Sequence, residues 1–204
     1  MSSLLLATRN RGKKREIEDF LRSGGVDLRL LSLDDAGVDA DADAEESGKT
    51  FAENARRKAD FYSRLTGLDT LGDDSGLEVI ALGGRPGVRS ARYAGDGSDD
   101  DGRIRKLLAE MDRVVDRRAR FVSAVCLSRQ GSPLASFIGE VAGEILFAKR
   151  GAGGFGYDPL FLYPPLGKTF AELPLEEKNR ISHRARALAQ VREFIRSGGL
   201  RQPR

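Results

Sequence analysis

The strongest constraint on the fold is the alternation of short apolar segments with segments of helical periodicity. Apolar runs of strand length occupy residues 3–7, 28–33, 70–72 and 77–82, as expected of buried strands. Residues 14–21, 51–66 and 100–111 repeat apolar side chains at helical spacing. Two β-rich runs, 120–127 and 134–146, are joined by a turn at 130–133 and predict a hairpin. The order predicts an α/β fold with a mixed sheet flanked by helices. The hairpin favours a second lobe, with a cleft between the lobes.

The helix that follows Thr50 has the clearest boundaries. Thr50 and Glu53 fit a capping box, and Gly67 ends the helix. Its predicted apolar face comprises Phe51, Ala55, Ala59, Tyr62 and Leu65. A last helix is predicted after Ser182, with Leu188, Val191 and Ile195 as its core stripe.

Cysteine and histidine content excludes several classes of protein. Cys126 and His183 are each the only residue of their type, which rules out an internal disulfide, a zinc finger and a His-rich metal site. No apolar run reaches the roughly 18 residues of a membrane span. The apolar segment at the N-terminus is four residues long, shorter than a secretory signal requires. We therefore expect a cytoplasmic protein in which residues 1–204 form one domain of two lobes.

Charge is unevenly distributed, although the formal net charge is only +3, too small to indicate a nucleic-acid binder. Five of the seven residues 9–15 are basic, and seven of the thirteen residues 34–46 are acidic. A second acidic run, Asp96, Asp99, Asp100 and Asp101, is interpreted as solvated surface.

Residues 8–13 predict a phosphate site, because a strand, a polar turn and a helix follow one another there. Backbone N–H groups and the helix dipole at such a turn favour an anion. Thr8 and Asn10 add side-chain donors, and Lys13 adds charge. Ala7 and Lys14 depart from the P-loop pattern. The alternative is a basic first helical turn in solvent.

Four carboxylates, Glu45, Glu46, Asp73 and Asp74, form a candidate divalent-metal set. Mg²⁺ is usually held by one or two carboxylates together with substrate phosphates. Residues 73–76, Asp-Asp-Ser-Gly, are predicted as a turn at a strand end. Because consecutive strand side chains point in opposite directions, one of Asp73 and Asp74 should face the site more directly. The alternative is an ordinary turn with Asx hydrogen bonds.

The glycine-rich segment 151–156 matches G-x-G-x-x-G literally, but a dinucleotide site needs a helix after it. Pro159 disfavours helix at Asp158, so we reject that interpretation. The turn displays Phe155, Tyr157 and Asp158, and an aromatic beside a polar group can stack on a nucleobase. The alternative is that Phe155 is an ordinary core residue.

His183 and Arg184 fall in the first turn of the last helix, where the helix dipole disfavours protonated histidine. A neutral His183 beside a cationic Arg184 would be rich in hydrogen-bond donors. A serine hydrolase using His183 is conceivable, but Ser182 is adjacent to His183 and the sequence contains no G-x-S-x-G elbow. The alternative is a basic helix start on the surface.

Six segments in this order resemble the inosine triphosphate pyrophosphatase family, which hydrolyses deaminated purine nucleoside triphosphates. They are residues 6–13, 45–55, 73–77, 86–93, 153–159 and 177–184. The resemblance implies an elongated α/β fold of two lobes, a homodimer, a requirement for Mg²⁺, and hydrolysis between the α- and β-phosphates.

The resemblance also assigns roles to residues. Asp74 is the general base, and Glu46 and Asp74, with Asp73 as a further candidate, bind the metal. The triphosphate is bound by Thr8, Arg9, Asn10, Arg11, Gly12, Lys13 and Lys58. The remaining pocket is formed by Ser75, Phe155, Gly156, Tyr157, Asp158, Lys178, His183 and Arg184. The partners are 6-oxo purine nucleoside triphosphates, with neither nucleic acid nor membrane.

Two other functions stay open on sequence grounds. One is a related enzyme acting on modified pyrimidine or other nucleoside triphosphates. The other is a catalytically silent nucleotide or nucleic-acid binder whose basic face combines residues 9–15, 113–120 and 180–204. Glu46 and Asp74 argue against silence, because a binder has no need of carboxylates beside phosphates.

Overall fold

A single mixed sheet organises residues 2–200, the part of the chain that the computed structural model describes. In spatial order its strands are β2-β1-β3-β4-β5-β6-β7. The strands are β1 Ser2–Ala7, β2 Leu28–Leu31, β3 Asp69–Val79, β4 Arg118–Arg129, β5 Ser132–Ile145, β6 Phe161–Tyr163 and β7 Lys168–Thr169. The helices are α1 Arg11–Ser23, α2 Phe51–Thr66, α3 Asp100–Glu110, α4 Leu175–Ile181 and α5 His183–Arg196. Strand β1 is parallel to β2 and β3, and the other pairs are antiparallel. The predicted α/β class and mixed sheet are confirmed.

The predicted turn at residues 73–76 is wrong, because β3 runs through it without a break. Strand β4 pairs with β3 from Thr70↔Ser128 to Val79↔Ala119, so the backbone of the Asp-Asp-Ser-Gly segment is hydrogen-bonded as a strand. The predicted strand 77–82 instead ends at Val79, where the 3₁₀ turn Ile80–Leu82 begins. The polar residues Asp73, Asp74 and Ser75 therefore lie within a strand and not in a turn.

Other boundaries differ by small amounts. Helix α1 begins at Arg11 rather than at residue 14, because the Asn10 side chain caps it by accepting a bond from the Lys13 amide. Helix α2 begins and ends as predicted, but Leu65 is 53% exposed and does not belong to its apolar face. The hairpin turn is shortened to Gln130 and Gly131, both with positive φ.

Two apolar cores lie on the same face of the β3–β4 pair. Leu71 belongs to one core and Leu77 to the other, and the polar pair Asp73 and Ser75 separates them along the strand. Strand β1 ends at Ala7, opposite Gly72, so within residues 2–200 no strand pairs with residues 73–77 of β3 on that side. This free edge, at the carboxyl end of a parallel strand, is where a ligand cleft is expected in an α/β sheet. No helix in residues 2–200 is long and apolar enough to cross a membrane.

Candidate active site

A cavity of about 360 Å³ opens at the free edge of β3, a volume typical of small-molecule sites. Most residues assigned from the sequence line it, namely Thr8, Arg9, Asn10, Lys13, Glu46, Lys58, Asp74, Ser75, Phe155, Gly156, Tyr157, Asp158, Lys178, His183 and Arg184. Arg11 is exposed, and Gly12 and Asp73 lie behind the lining.

One end of the cleft is a cluster of two carboxylates and a lysine. The Lys58 ammonium lies 3.1 Å from Glu46 Oε1 and 3.6 Å from Asp74 Oδ1. Helix α2 supplies Lys58 and also Asn54, whose Nδ2 donates to Asp74 Oδ2 at 3.0 Å. Asn54 Oδ1 accepts a bond from the Gly48 amide at 2.8 Å, which ties the loop carrying Glu46 to the same helix.

Burial controls the protonation of this cluster. It raises the pKa of Asp74 and, with the added repulsion of Glu46, outweighs the opposing attraction of Lys58 and Lys13. Burial alone would lower the pKa of Lys58, but Asp74 and Glu46 more than compensate and raise it. The cluster therefore holds a charged lysine beside an aspartate that accepts a proton more readily than usual.

Asp73 points to the opposite face of β3 and is fully enclosed. Its Oδ2 lies 2.9 Å from Lys13 Nζ, and its Oδ1 accepts from Ser123 Oγ at 2.7 Å and faces Arg184 Nε at 3.4 Å. Burial would raise the pKa of Asp73, but Arg184 and Lys13 hold it well below its usual range. The alternation predicted for these two aspartates is thus observed, with Asp74 facing the cleft.

The donor set of the carboxylate cluster suits Mg²⁺. Glu46 and Asp74 both line the cleft and provide oxygen atoms of the kind that Mg²⁺ prefers. Asp73 already uses both oxygens for Lys13, Arg184 and Ser123, and Glu45 is exposed. Within residues 2–200, no three His, Cys, Asp or Glu side chains converge on one metal position. Substrate oxygens would have to complete the shell.

The turn before α1 is held by its own side chains. Thr8 Oγ1 accepts from the Asn10 amide at 3.2 Å, and Asn10 Oδ1 accepts from the Lys13 amide at 3.0 Å. Arg9 reaches away, since its Nη2 donates to the carbonyl oxygens of Asp39 and Ala42 at 2.6 and 3.1 Å. The turn therefore presents Lys13 and a helix N-terminus to the cleft.

The other end of the cleft is built around Phe155. A Cβ atom on Gly12 would lie 2.4 Å from the Phe155 ring, so any larger residue there would require the ring to move. The Phe155 amide donates to Asp158 Oδ2 at 2.9 Å, and Lys178 lies 5.0 Å from the ring centroid. Burial raises the pKa of Asp158 despite its pairing with Lys178. The ring is fixed on one side by the backbone of α1.

Arg184 and His183 share a helix N-terminus but differ in role. Arg184 is 1% exposed and pairs with Glu16 and Asp73, while its Nη2 donates to Ser75 Oγ at 2.6 Å. His183 stacks on Phe121 with centroids 4.7 Å apart. Burial, with Arg184 nearby, lowers the pKa of His183 well below its usual value, and its Nδ1 has no hydrogen-bond partner in residues 2–200. The predicted neutral histidine is in place.

Asp100 corrects the interpretation of the second acidic run as solvated surface. Its Oδ2 accepts from the Gly156 amide at 2.6 Å, and its Oδ1 pairs with Arg103. Tyr157 is anchored by donating to the Ser90 carbonyl at 3.1 Å. Helix α3 thereby holds the segment that carries Phe155.

Glu16 and Asn54 were missed by the sequence analysis. Each is buried and lies on the apolar face of its helix, beside Ile17 or Ala55. A polar residue on a buried helical face needs a partner. The polar residue on the apolar face of each helix was therefore the sequence signal that could have identified Glu16 and Asn54.

The basic face expected of a nucleic-acid binder is dispersed. Arg117 is buried, with its guanidinium on the carbonyls of Met111, Ile145 and Leu146. Arg118 and Arg120 pair with carboxylates on the surface. Residues 201–204 of that proposed face lie outside the described part of the chain.

The chain is similar to proteins of one family over most of its length. The model of the Ham1 family matches residues 4–194. A protein of Geobacter sulfurreducens named dITP/XTP pyrophosphatase is 48% identical over 96% of this chain and 97% of its own. One of the same name from Syntrophobacter fumaroxidans is 50% identical over 94% of this chain and 81% of its own. A solved HAM1 protein from Coxiella burnetii superposes with a TM-score of 0.86 at 38% identity, covering 97% of this chain and all of that one.

The cleft at the end of a parallel strand, where lysines are paired with buried carboxylates, is of the kind that could hold a phosphorylated ligand and a divalent metal ion. The chain belongs to the Ham1 family. The family resemblance predicted from the six motifs is confirmed.

Proposed function

We propose that the protein is a Mg²⁺-dependent nucleoside-triphosphate pyrophosphatase that converts ITP, dITP and XTP to the monophosphate and pyrophosphate. The observation that carries the proposal is the Glu46–Lys58–Asp74 cluster at the free edge of β3, facing the N-terminus of α1. The names of the relatives, dITP/XTP pyrophosphatase, support the same substrate class.

The triphosphate lies between the α1 N-terminus and Lys58. Lys13 and Lys58 are both held by buried carboxylates, so their positions are fixed before the nucleotide arrives. Preorganised cations stabilise charge that develops on the leaving group. Their chemical role is to stabilise the departing pyrophosphate.

Asp74 is the general base. Its carboxylate takes a proton from the water that attacks the α-phosphorus, the new phosphorus–oxygen bond forms, and the bond to the bridging oxygen of the β-phosphate breaks. The raised pKa of Asp74 brings it closer to the operating pH, which favours a base. Glu46 and Asp74 would hold Mg²⁺, which when bound neutralises phosphate charge and makes water more acidic.

The purine stacks on Phe155, and its 6-oxo group faces the start of α5. The first amides of a helix have no intrahelical partner, so His183 and Arg184 offer backbone N–H donors there. The amino group of adenine would meet these donors with a donor of its own. A site built to hydrogen-bond one group of a substrate can discriminate against an analogue that lacks this group by about 10⁴-fold.

A substrate panel with a matched variant tests the proposal. The wild type with Mg²⁺ should release monophosphate and pyrophosphate from ITP and XTP, at least about 100-fold faster than from ATP. Asp74→Asn should bind ITP but lose turnover by about 10²-fold or more. Equal turnover of all the nucleotides would refute the assignment of the base-binding pocket. Unchanged turnover in Asp74→Asn would refute the assignment of Asp74 as the general base. We propose further that the enzyme is a cytoplasmic homodimer. Light scattering would test the dimer by measuring the molar mass of the protein in solution.

A further inference from the structure

The cations of the cleft differ in how they are partnered. Five of the seven lysine and arginine side chains that line it are paired with a carboxylate. These five are Lys13, Lys58, Arg103, Lys178 and Arg184. Within residues 2–200, only Arg9 and Arg92 of the seven lack a carboxylate partner.

Arg9 and Arg92 are not equally available to a ligand. Arg9 is held by two backbone carbonyls, one of them only 2.6 Å from its Nη2. Arg92 is exposed and, among residues 2–200, its side chain makes one hydrogen bond, from its Nη2 to the Glu46 carbonyl at 3.3 Å, which is beyond the usual range for such a bond. A guanidinium has five N–H donors, so Arg92 has most of its capacity free.

The backbone that carries Arg92 is firmly anchored. Arg92 ends the 3₁₀ turn Gly87–Arg92, in which Ser90 Oγ donates to the Gly87 carbonyl and accepts from the Leu77 amide of β3. Arg103 Nη1 donates to the Ala91 carbonyl at 3.2 Å. The free guanidinium therefore extends from a fixed base.

Arg92 stands at the phosphate end of the cleft. Its contact is Glu46, which in turn pairs with Lys58, whereas Phe155 and its supporting cations occupy the other end. Arginine favours phosphate because its planar fork can donate two parallel bonds.

We propose that Arg92 binds the terminal phosphates of the substrate and, after cleavage, the pyrophosphate product. This inference rests on the proposed function, since it assigns one residue to the triphosphate. It adds an arginine from the 86–93 segment to a phosphate site whose lysines, Lys13 and Lys58, are paired with carboxylates.

The test compares Arg92→Ala and Arg92→Lys with Arg89→Ala. Arg89 lies in the same turn, is exposed, and does not line the cleft, so it controls for general charge. Titration calorimetry with Mg²⁺ would measure the affinity of each protein for inorganic pyrophosphate and for inosine monophosphate. Steady-state kinetics would measure KM for ITP.

Arg92→Ala should weaken pyrophosphate binding and raise KM for ITP by about tenfold or more. Binding of inosine monophosphate should stay within about twofold, and Arg92→Lys should recover only part of the loss. Arg89→Ala should match the wild type.

Three results would overturn the inference. They are unchanged pyrophosphate affinity in Arg92→Ala, an equal loss in Arg89→Ala, and an equal loss for the monophosphate. In each case the wild type still hydrolyses ITP, so the proposed function would stand. A wild type that neither binds pyrophosphate nor hydrolyses ITP would refute both.

Discussion

Asp73 and Asp74 are adjacent in sequence, yet the same substitution should have opposite consequences at the two positions. The Asp73 side chain is fully buried and forms ion pairs with both Lys13 and Arg184. Removing one partner of a buried ion pair costs about 3–5 kcal/mol. Lys13 keeps 14% of its side-chain surface exposed and Arg184 keeps Glu16, so we expect Asp73→Asn to lose about 3 kcal/mol. At about 2.1 cal/mol/K of unfolding entropy per residue, this lowers Tm by roughly 7 °C.

Asp74→Asn should be as stable as the wild type or more stable. Burial raises the folded-state pKa of Asp74, so its charged form destabilises the fold once the pH exceeds the unfolded value of about 3.9. An amide carries no such cost, and Asn54 can still donate to it. The advantage of Asp74→Asn should therefore vanish as the pH falls below about 4.

Asp73 behaves in the reverse sense with pH. Its folded-state pKa is lowered, so its stabilisation is complete above the unfolded value of about 3.9 and is lost only as the pH falls through the folded value. The deficit of Asp73→Asn should therefore be the same at pH 8 and pH 5.

Urea unfolding of the three metal-free proteins, followed by circular dichroism at pH 8, at pH 5 and below about pH 4, measures these differences. Comparable stability of Asp73→Asn and wild type would refute the role given to the buried aspartate. A loss of about 3 kcal/mol in Asp74→Asn would show that this residue, too, mainly supports the fold.

Three further predictions concern the rest of the cleft. Gly12→Ala should displace the Phe155 ring, which lies 2.4 Å from the new Cβ atom, and raise KM for ITP several-fold, as steady-state kinetics would measure; an unchanged KM would contradict the stacking role. Burial keeps His183 neutral, so the free energy of unfolding should fall by up to about 1.4 kcal/mol per pH unit below about pH 6.5. Urea unfolding of His183→Phe at the same pH values should lack this contribution to the pH dependence. Asp100→Ala should raise KM for ITP, because the Gly156 amide loses its acceptor, whereas Asp101→Ala should leave it unchanged; equal values would refute the bracing role.

The sequence predicted the elements better than the arrangement of their side chains. Thr50 and Gly67 defined α2 correctly, because a capping residue and a left-handed glycine act locally. The turn predicted at residues 73–76 was wrong because the pairing of β3 with β4 overrides the local turn preference of Asp, Ser and Gly.

The site was predicted in outline, but its pairings were not. Strand alternation predicted that Asp73 and Asp74 would separate, which follows from geometry within one strand. The pairing of Arg184 with Glu16 joins residues 168 positions apart in the sequence. No local pattern encodes such a contact, which depends on α1 and α5 packing on the same face of the sheet.

The most direct test of the central claim is to hydrolyse ITP in ¹⁸O-labelled water with Mg²⁺ and locate the label by mass spectrometry. Attack at the α-phosphorus places the label in inosine monophosphate and leaves pyrophosphate unlabelled, which is the result we predict. Label in pyrophosphate, or release of orthophosphate, would contradict the assignment of Asp74 as the base for water attacking the α-phosphorus.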